Sequence, residues 1–131
     1  MRLILTALIF VGGLANLVIG LGFLAMPYSL IGGFGLDPQG AAGLSTTRAD
    51  FTAFFALSGV AMLYGGWKRS GEVLLVPAAL FGIAFVGRAF SLVADGAYEG
   101  FAMPMLIEAV TTVVCLAGWR ALPHDPPSSE F

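Results

Sequence analysis

The chain has 131 residues, so length alone allows a single domain. Hydrophobic residues make up 58% of it and charged residues 11%, against roughly 45–50% and about 25% in soluble domains. A soluble fold this small cannot bury so much apolar side chain. Six Lys and Arg against eight Asp and Glu give a net charge of -2, with no basic patch for nucleic acid. Cys115 is the only cysteine, which excludes a disulfide scaffold. The class that fits is all-α: an integral membrane four-helix bundle.

A helix needs about 20 mostly apolar residues to cross the hydrocarbon core. The first such run covers about residues 3–26, with Asn16 its only strongly polar side chain. A signal-peptide core spans only about 7–15 residues; this run continues well past that, so it reads as a retained helix. Gly12, Asn16 and Gly20 recur every four residues, a spacing that lets backbones approach closely in lipid. The connector 27–44 carries Gly32, Gly33, Gly35, Pro38, Gly40 and Gly43 around Leu30, Ile31, Phe34 and Leu36. It is too apolar for a free loop and too glycine-rich for a stable helix. It is expected to fold against the membrane surface, in its sharper form as a lid over a cavity.

Ser45, Thr46 and Thr47 offer N-caps for a second span at about 49–67, with Asp50 in its first turn. Gly71 is expected to break the short turn that follows. The third span, about 73–94, contains Arg88, and the fourth, about 103–121, opens near Pro104 and contains Glu108. Residues 123–131, with Pro123, Pro126, Pro127 and two serines, read as a disordered cytoplasmic tail. His124 falls in this tail and reads as solvated.

Orientation follows the positive-inside rule. Arg2, Lys68, Arg69 and Arg120 fall on the side shared by both termini. Asp37, Asp50, Asp95 and Glu99 fall on the other, with Arg48 the one exposed base there. Trp67 and Trp119 stand just before basic residues, where interfacial tryptophans belong. Both termini are therefore expected in the cytoplasm, with the protein a multi-pass one in a bacterial inner membrane.

Ionisable groups inside a span cost about 2.5–3.5 kcal/mol each on insertion scales, so they are expected to be paired or functional. Arg88 lies seven residues before Asp95, and Glu108 five residues after Met103. At 1.5 Å per residue these are depths of about 10 Å and about 7–8 Å from one face. Neighbouring antiparallel helices would bring the two within reach of a salt bridge. Arg48, Asp50 and Asp95 can converge on the same side. On the fourth helix Glu108, Thr111, Thr112 and Cys115 share a face, and on the third Phe81, Ala84, Phe85, Arg88 and Ser91 do.

The candidate ligand-binding set is Arg48, Arg88, Ser91, Asp95, Glu108, Phe81, Phe85 and Thr112. Three readings fit it. The charges can be an ion-pair network that sets helix register. The arginines can hold the carboxylate or phosphate of an amphiphile or lipid, its tail along Phe81 and Phe85. Glu108 can be the titrating group of a proton-coupled transporter or membrane enzyme. An adjacent arginine weighs against the last. No catalytic set is present, and one Cys and one His cannot build a zinc or haem site, so no metal or cofactor is expected. The exposed small-residue stripe also suits a non-catalytic accessory subunit that docks a membrane-protein partner, or a homo-oligomer.

Three strings carry a family resemblance. They are Arg48-Ala49-Asp50 before a helix with Gly59, Gly65 and Gly66; Gly87-Arg88-Ala89-Phe90-Ser91 followed by Asp95-Gly96; and Glu108 in a last helix that begins near Pro104. Over about residues 3–121 the chain resembles a family of small bacterial four-span membrane proteins, the domain of unknown function 4345, and more distantly DoxX-like four-span proteins. The resemblance implies a four-helix inner-membrane bundle and shared polar positions at Arg48, Arg88, Ser91, Asp95 and Glu108. It implies no activity. Where that pattern often has Tyr-Gly-Gly after the first Arg-Ala, this chain has Asp50-Phe51-Thr52.

Overall fold

A computed structural model describes residues 1–124; residues 125–131, most of the expected tail, lie outside the described residues. Four helices follow one another: α1 (Arg2–Ala25), α2 (Gly40–Lys68), α3 (Leu75–Ala94) and α4 (Ala102–Ala121). Short 3-10 turns at Pro27–Ser29, Ile31–Phe34 and Glu72–Leu74 complete the described fold, which contains no strand. All four helices are long and apolar enough to cross a membrane. Their outer faces carry Val11, Val18, Ile83, Val86, Phe90 and Val113, each more than half exposed. Apolar surface on that scale is what lipid contact requires.

The helices alternate in direction, which gathers the charges. Arg2, Lys68, Arg69 and Arg120 mark one end of the bundle, here the basic end. Asp37, Asp95 and Glu99 lie in the connectors at the opposite, acidic end. The core at the basic end is aliphatic: Ile9, Met62, Leu74, Ala78, Cys115 and Leu122 pack together. Toward the acidic end it is aromatic. Phe23 is fully buried, with ring centroids of Phe51 at 4.8 Å, Phe34 at 5.1 Å and Phe55 at 6.1 Å.

The tightest contact is between α1 and α2. A Cβ on Gly59 would stand 2.5 Å from the Leu17 amide nitrogen and 2.8 Å from the Gly13 carbonyl oxygen. The close approach therefore runs through Gly13, Gly20 and Gly59. Gly12 is one position off this seam and faces only the tip of Met62. Asn16 is buried on the seam, its Nδ2 donating to the Gly12 carbonyl and to Met62 Sδ.

Two boundaries differ from expectation. Helix α2 starts nine residues earlier than its apolar run, at Gly40, directly after Gln39 in an extended conformation. Thr46 and Thr47 are thus interior rather than caps, and their hydroxyls donate to the Ala42 and Gly43 carbonyls at 3.1 and 2.9 Å. The same residue types serve both purposes, because a short hydroxyl reaches either an N-terminal amide or a carbonyl four residues back. Asp50 is correspondingly in mid-helix. The break after α2 falls at Arg69, in the left-handed region (φ 53°), not at Gly71. Gly71 instead allows close approach: a Cβ there would lie 2.8 Å from the Trp119 carbonyl oxygen. Its amide donates to the Pro123 carbonyl at 3.0 Å, and the His124 ring lies 3.8 Å from Glu72.

The connector is anchored by one aromatic residue. Phe34 sits edge-on to Phe23, Phe51 and Phe55, at 5.1, 5.8 and 5.6 Å. Aromatic pairs are each worth about 0.5–1.5 kcal/mol beyond area burial. Phe34→Ala is expected to loosen the connector by about 1–2 kcal/mol, so that the Leu36 amide exchanges about tenfold faster. That amide is bonded to the Ile31 carbonyl at 3.0 Å. Unchanged exchange in the variant would mean that backbone bonds alone hold the segment.

Candidate functional site

The two charges within the spans meet. Arg88 Nε donates to Glu108 Oε1 at 2.9 Å. The short α3–α4 connector sets this level, since it makes the two helices antiparallel neighbours with matched depth. Arg88 is one-third exposed along its side chain, whereas Glu108 is 6% exposed. The guanidinium also reaches out of the bundle, where Nη1 donates to the Tyr98 hydroxyl at 3.3 Å. Tyr98 lies in the connector, whose conformation no periodicity reports; only its place ten residues beyond Arg88 hints at it.

The carboxylate is only half satisfied. Glu108 Oε2 is buried with no hydrogen-bond partner among the described residues. Leaving such an acceptor unpaired costs about 1–3 kcal/mol, and more when the group is charged. Thr112 does not supply the bond, because its hydroxyl turns back to the Glu108 main-chain carbonyl at 2.8 Å. On α2, Arg48 Nε and Thr52 Oγ1 are likewise buried and unpartnered. They stand one turn apart on one face of the helix. No ion pair joins Arg48 to an acidic residue among the described residues.

Register places Arg48 opposite Arg88. Phe55 of α2 and Phe81 of α3 are in ring contact at 6.4 Å. Arg48 is seven residues before Phe55, and Arg88 seven residues after Phe81. The helices run in opposite directions, so both arginines rise about 10.5 Å toward the acidic end from that contact. Seven residues is nearly two full turns, so each arginine also shares a face with its phenylalanine. Arg48 and Arg88 thus share a level, with Thr52 one turn nearer the Phe55–Phe81 contact. A fourth buried and unpartnered atom, Ser58 Oγ, lies past Phe55 toward the basic end and outside this set.

Other expected members stand apart. Asp95 does not meet Arg88; its Oδ2 accepts from the Ser91 hydroxyl at 3.0 Å, an exposed bond within the end of α3. One turn is the shorter reach, and the exposed carboxylate has water as well. Asp50 is exposed, about 200° around α2 from Arg48. Phe81 is 3% exposed, its ring against Phe54 at 5.0 Å, so it floors the site and leaves no open wall for a tail. Phe85 is half-buried on the same side of α3. The inward stripe of α4 is as expected, with Glu108 and Cys115 buried and Thr111 and Thr112 half-buried.

A shallow apolar groove lined by Gly82, Ile83, Val86, Gly87 and Phe90 also lies on α3. Helical phase puts it on the side opposite Arg88, so it is not part of this site. Among the described residues no group of three or more His, Cys, Asp or Glu gathers as metal ligands would.

Comparison with protein-family models, with curated proteins and with solved structures returns no match. The reading of function therefore stands on the residues and geometry above.

Proposed function

We propose that this chain is a multi-pass protein of a bacterial inner membrane, with both termini cytoplasmic, that binds the headgroup of an anionic amphiphile at its acidic end. The observation that carries the reading is the unsatisfied polar set: Arg48 Nε, Thr52 Oγ1 and Glu108 Oε2, all buried and all without partners. A purely structural network pairs its members; this one leaves an arginine over. Guanidinium groups match carboxylate and phosphate oxygens through their forked donors.

Depth supports a headgroup. Arg48 lies 20 residues from Lys68 along α2, which is about 30 Å, the thickness of the hydrocarbon core. With Lys68 at one surface, Arg48 stands at the other. The Arg88–Glu108 pair would bound the site from within, and Ser91 and Asp95 would rim it. The lipid-facing side of the bundle would carry the tail. The resemblance to the four-span family, on the Gly87–Ser91 string and Glu108, belongs to the same reading and adds no ligand.

Arg48→Gln separates ligand binding from structure. Arg48 has no partner within the described bundle, so the variant should unfold within about 1 kcal/mol of the wild type. Native mass spectrometry of protein extracted with its own lipids should show a defined added mass on the wild type. Occupancy on Arg48→Gln should fall about tenfold, the scale of a charge-assisted hydrogen bond. A wild type that carries no added mass, or a variant that retains it fully, would defeat the proposal.

A further inference from the structure

We infer that the headgroup is of one class: a monoanion that also donates a hydrogen bond from a hydroxyl, as in a hydroxylated phosphodiester lipid. This rests on the headgroup reading above and narrows it. The three unpartnered atoms do not ask for the same thing. Arg48 Nε is a donor and needs an acceptor. Glu108 Oε2, with Oε1 held by Arg88, is an acceptor and needs a donor. Thr52 Oγ1 can play either part. An anion with acceptors alone satisfies Arg48 but leaves Glu108 Oε2 orphaned beside a second negative charge. A cation or neutral donor satisfies Glu108 and leaves Arg48 orphaned.

Charge narrows the class further. Within the site, two guanidinium groups and one carboxylate leave a single positive charge; Asp95 at the rim is exposed, so water and salt screen its contribution. A monoanion neutralises it. A dianionic phosphomonoester overshoots, and a zwitterion leaves the charge uncompensated. A phosphodiester with a free hydroxyl meets both requirements: its non-bridging oxygens face Arg48, and its hydroxyl reaches Glu108 Oε2. Burial agrees, because Arg48 is half-buried at the edge of the bundle while Glu108, 6% exposed, faces its interior.

The test compares three defined lipids on the intact chain, purified in a neutral detergent, by native mass spectrometric titration. Phosphatidylglycerol is the monoanion with hydroxyl donors. Phosphatidylmethanol has the same charge and no donor. Phosphatidylcholine has neither net charge nor donor. The wild type should bind phosphatidylglycerol about tenfold tighter than phosphatidylmethanol, the effect of one hydrogen bond to a charged acceptor. Both should bind tighter than phosphatidylcholine. In Glu108→Gln the gap between the two anionic lipids should close, while their lead over phosphatidylcholine persists. Equal binding of the two anionic lipids by the wild type would overturn this inference and leave the anion site standing. No preference for either over phosphatidylcholine would overturn the site itself. The wild-type comparison decides the matter even where Glu108→Gln fails to fold.

Discussion

Gly59→Ala is expected to destabilise the bundle by about 3 kcal/mol, the upper end of overpacking costs. The reason is what the new methyl group would strike. Its three nearest neighbours are Leu17 N at 2.5 Å, Gly13 O at 2.8 Å and Leu17 Cα at 2.8 Å, all main-chain atoms of α1. Main chain cannot rotate aside, so the two helices must separate. Separation loosens the Gly13 and Gly20 contacts along the same seam. Without a hydrophobic drive between helices in lipid, that close packing is the main attraction available. Gly12→Ala is the matched control. Its methyl group would meet only Met62 Cε at 2.9 Å, the flexible end of a side chain. Alanine there should be near neutral, helped by about 0.5–1 kcal/mol of intrinsic helix preference. Denaturant titration of both variants in the same detergent checks this. Equal midpoints would mean that the α1–α2 seam does not hold the bundle together.

The contrast between Gly12 and Gly13 also shows where sequence stops informing. Gly12, Asn16 and Gly20 recur every four residues, and the region of contact was legible from that spacing. The partner was not, because apart from Asn16 α1 is apolar around its whole circumference in this stretch, and one polar residue does not define a face to within one position. A one-residue error is about 100° of helix phase, and only a polar face would have corrected it. On α3 and α4 such faces exist. Arg88 and Glu108 mark one side of each helix, so their inward faces and matched depth could be read before any coordinates.

Elsewhere, residues with two uses defeat the reading. Thr46 and Thr47 look like caps but bond back within α2. Asp95 is on the Arg88 face, yet the nearer Ser91 hydroxyl takes its carboxylate. Phe34 looked like one apolar residue among glycines. Its role as anchor depends on Phe23, Phe51 and Phe55, which two other helices bring together. Tyr98 was invisible for a related reason: a connector's course is set by its ends and not by a period. The unpartnered state of Arg48 has no sequence signature at all, since it is a property of what the fold fails to place nearby.

Breaking the Arg88–Glu108 pair is the other change with a large expected effect. Removing one member of a buried ion pair costs about 3–5 kcal/mol, because the other is left charged and unpaired. Arg88→Ala should show this, since Glu108 is the more buried partner and loses the donor on Oε1. Charge reversal tests the geometry more sharply. Arg88→Glu sets two carboxylates together, and Glu108→Arg two guanidinium groups, so each single variant should be strongly destabilised. The double reversal restores opposite charges at the same level and should recover about 2 kcal/mol relative to the summed singles, a coupling typical of residues in direct contact. Recovery should be incomplete, because the shorter glutamate on α3 does not extend as far toward the Tyr98 hydroxyl as the Arg88 guanidinium does. Additive losses would show that the 2.9 Å contact is not energetically real. The outcome also divides the labour among the arginines. If Arg88 carries stability and Arg48 carries occupancy, Arg88→Ala lowers the unfolding midpoint while Arg48→Gln lowers only the retained lipid. A site that were structural throughout would show both effects, or neither, at both positions.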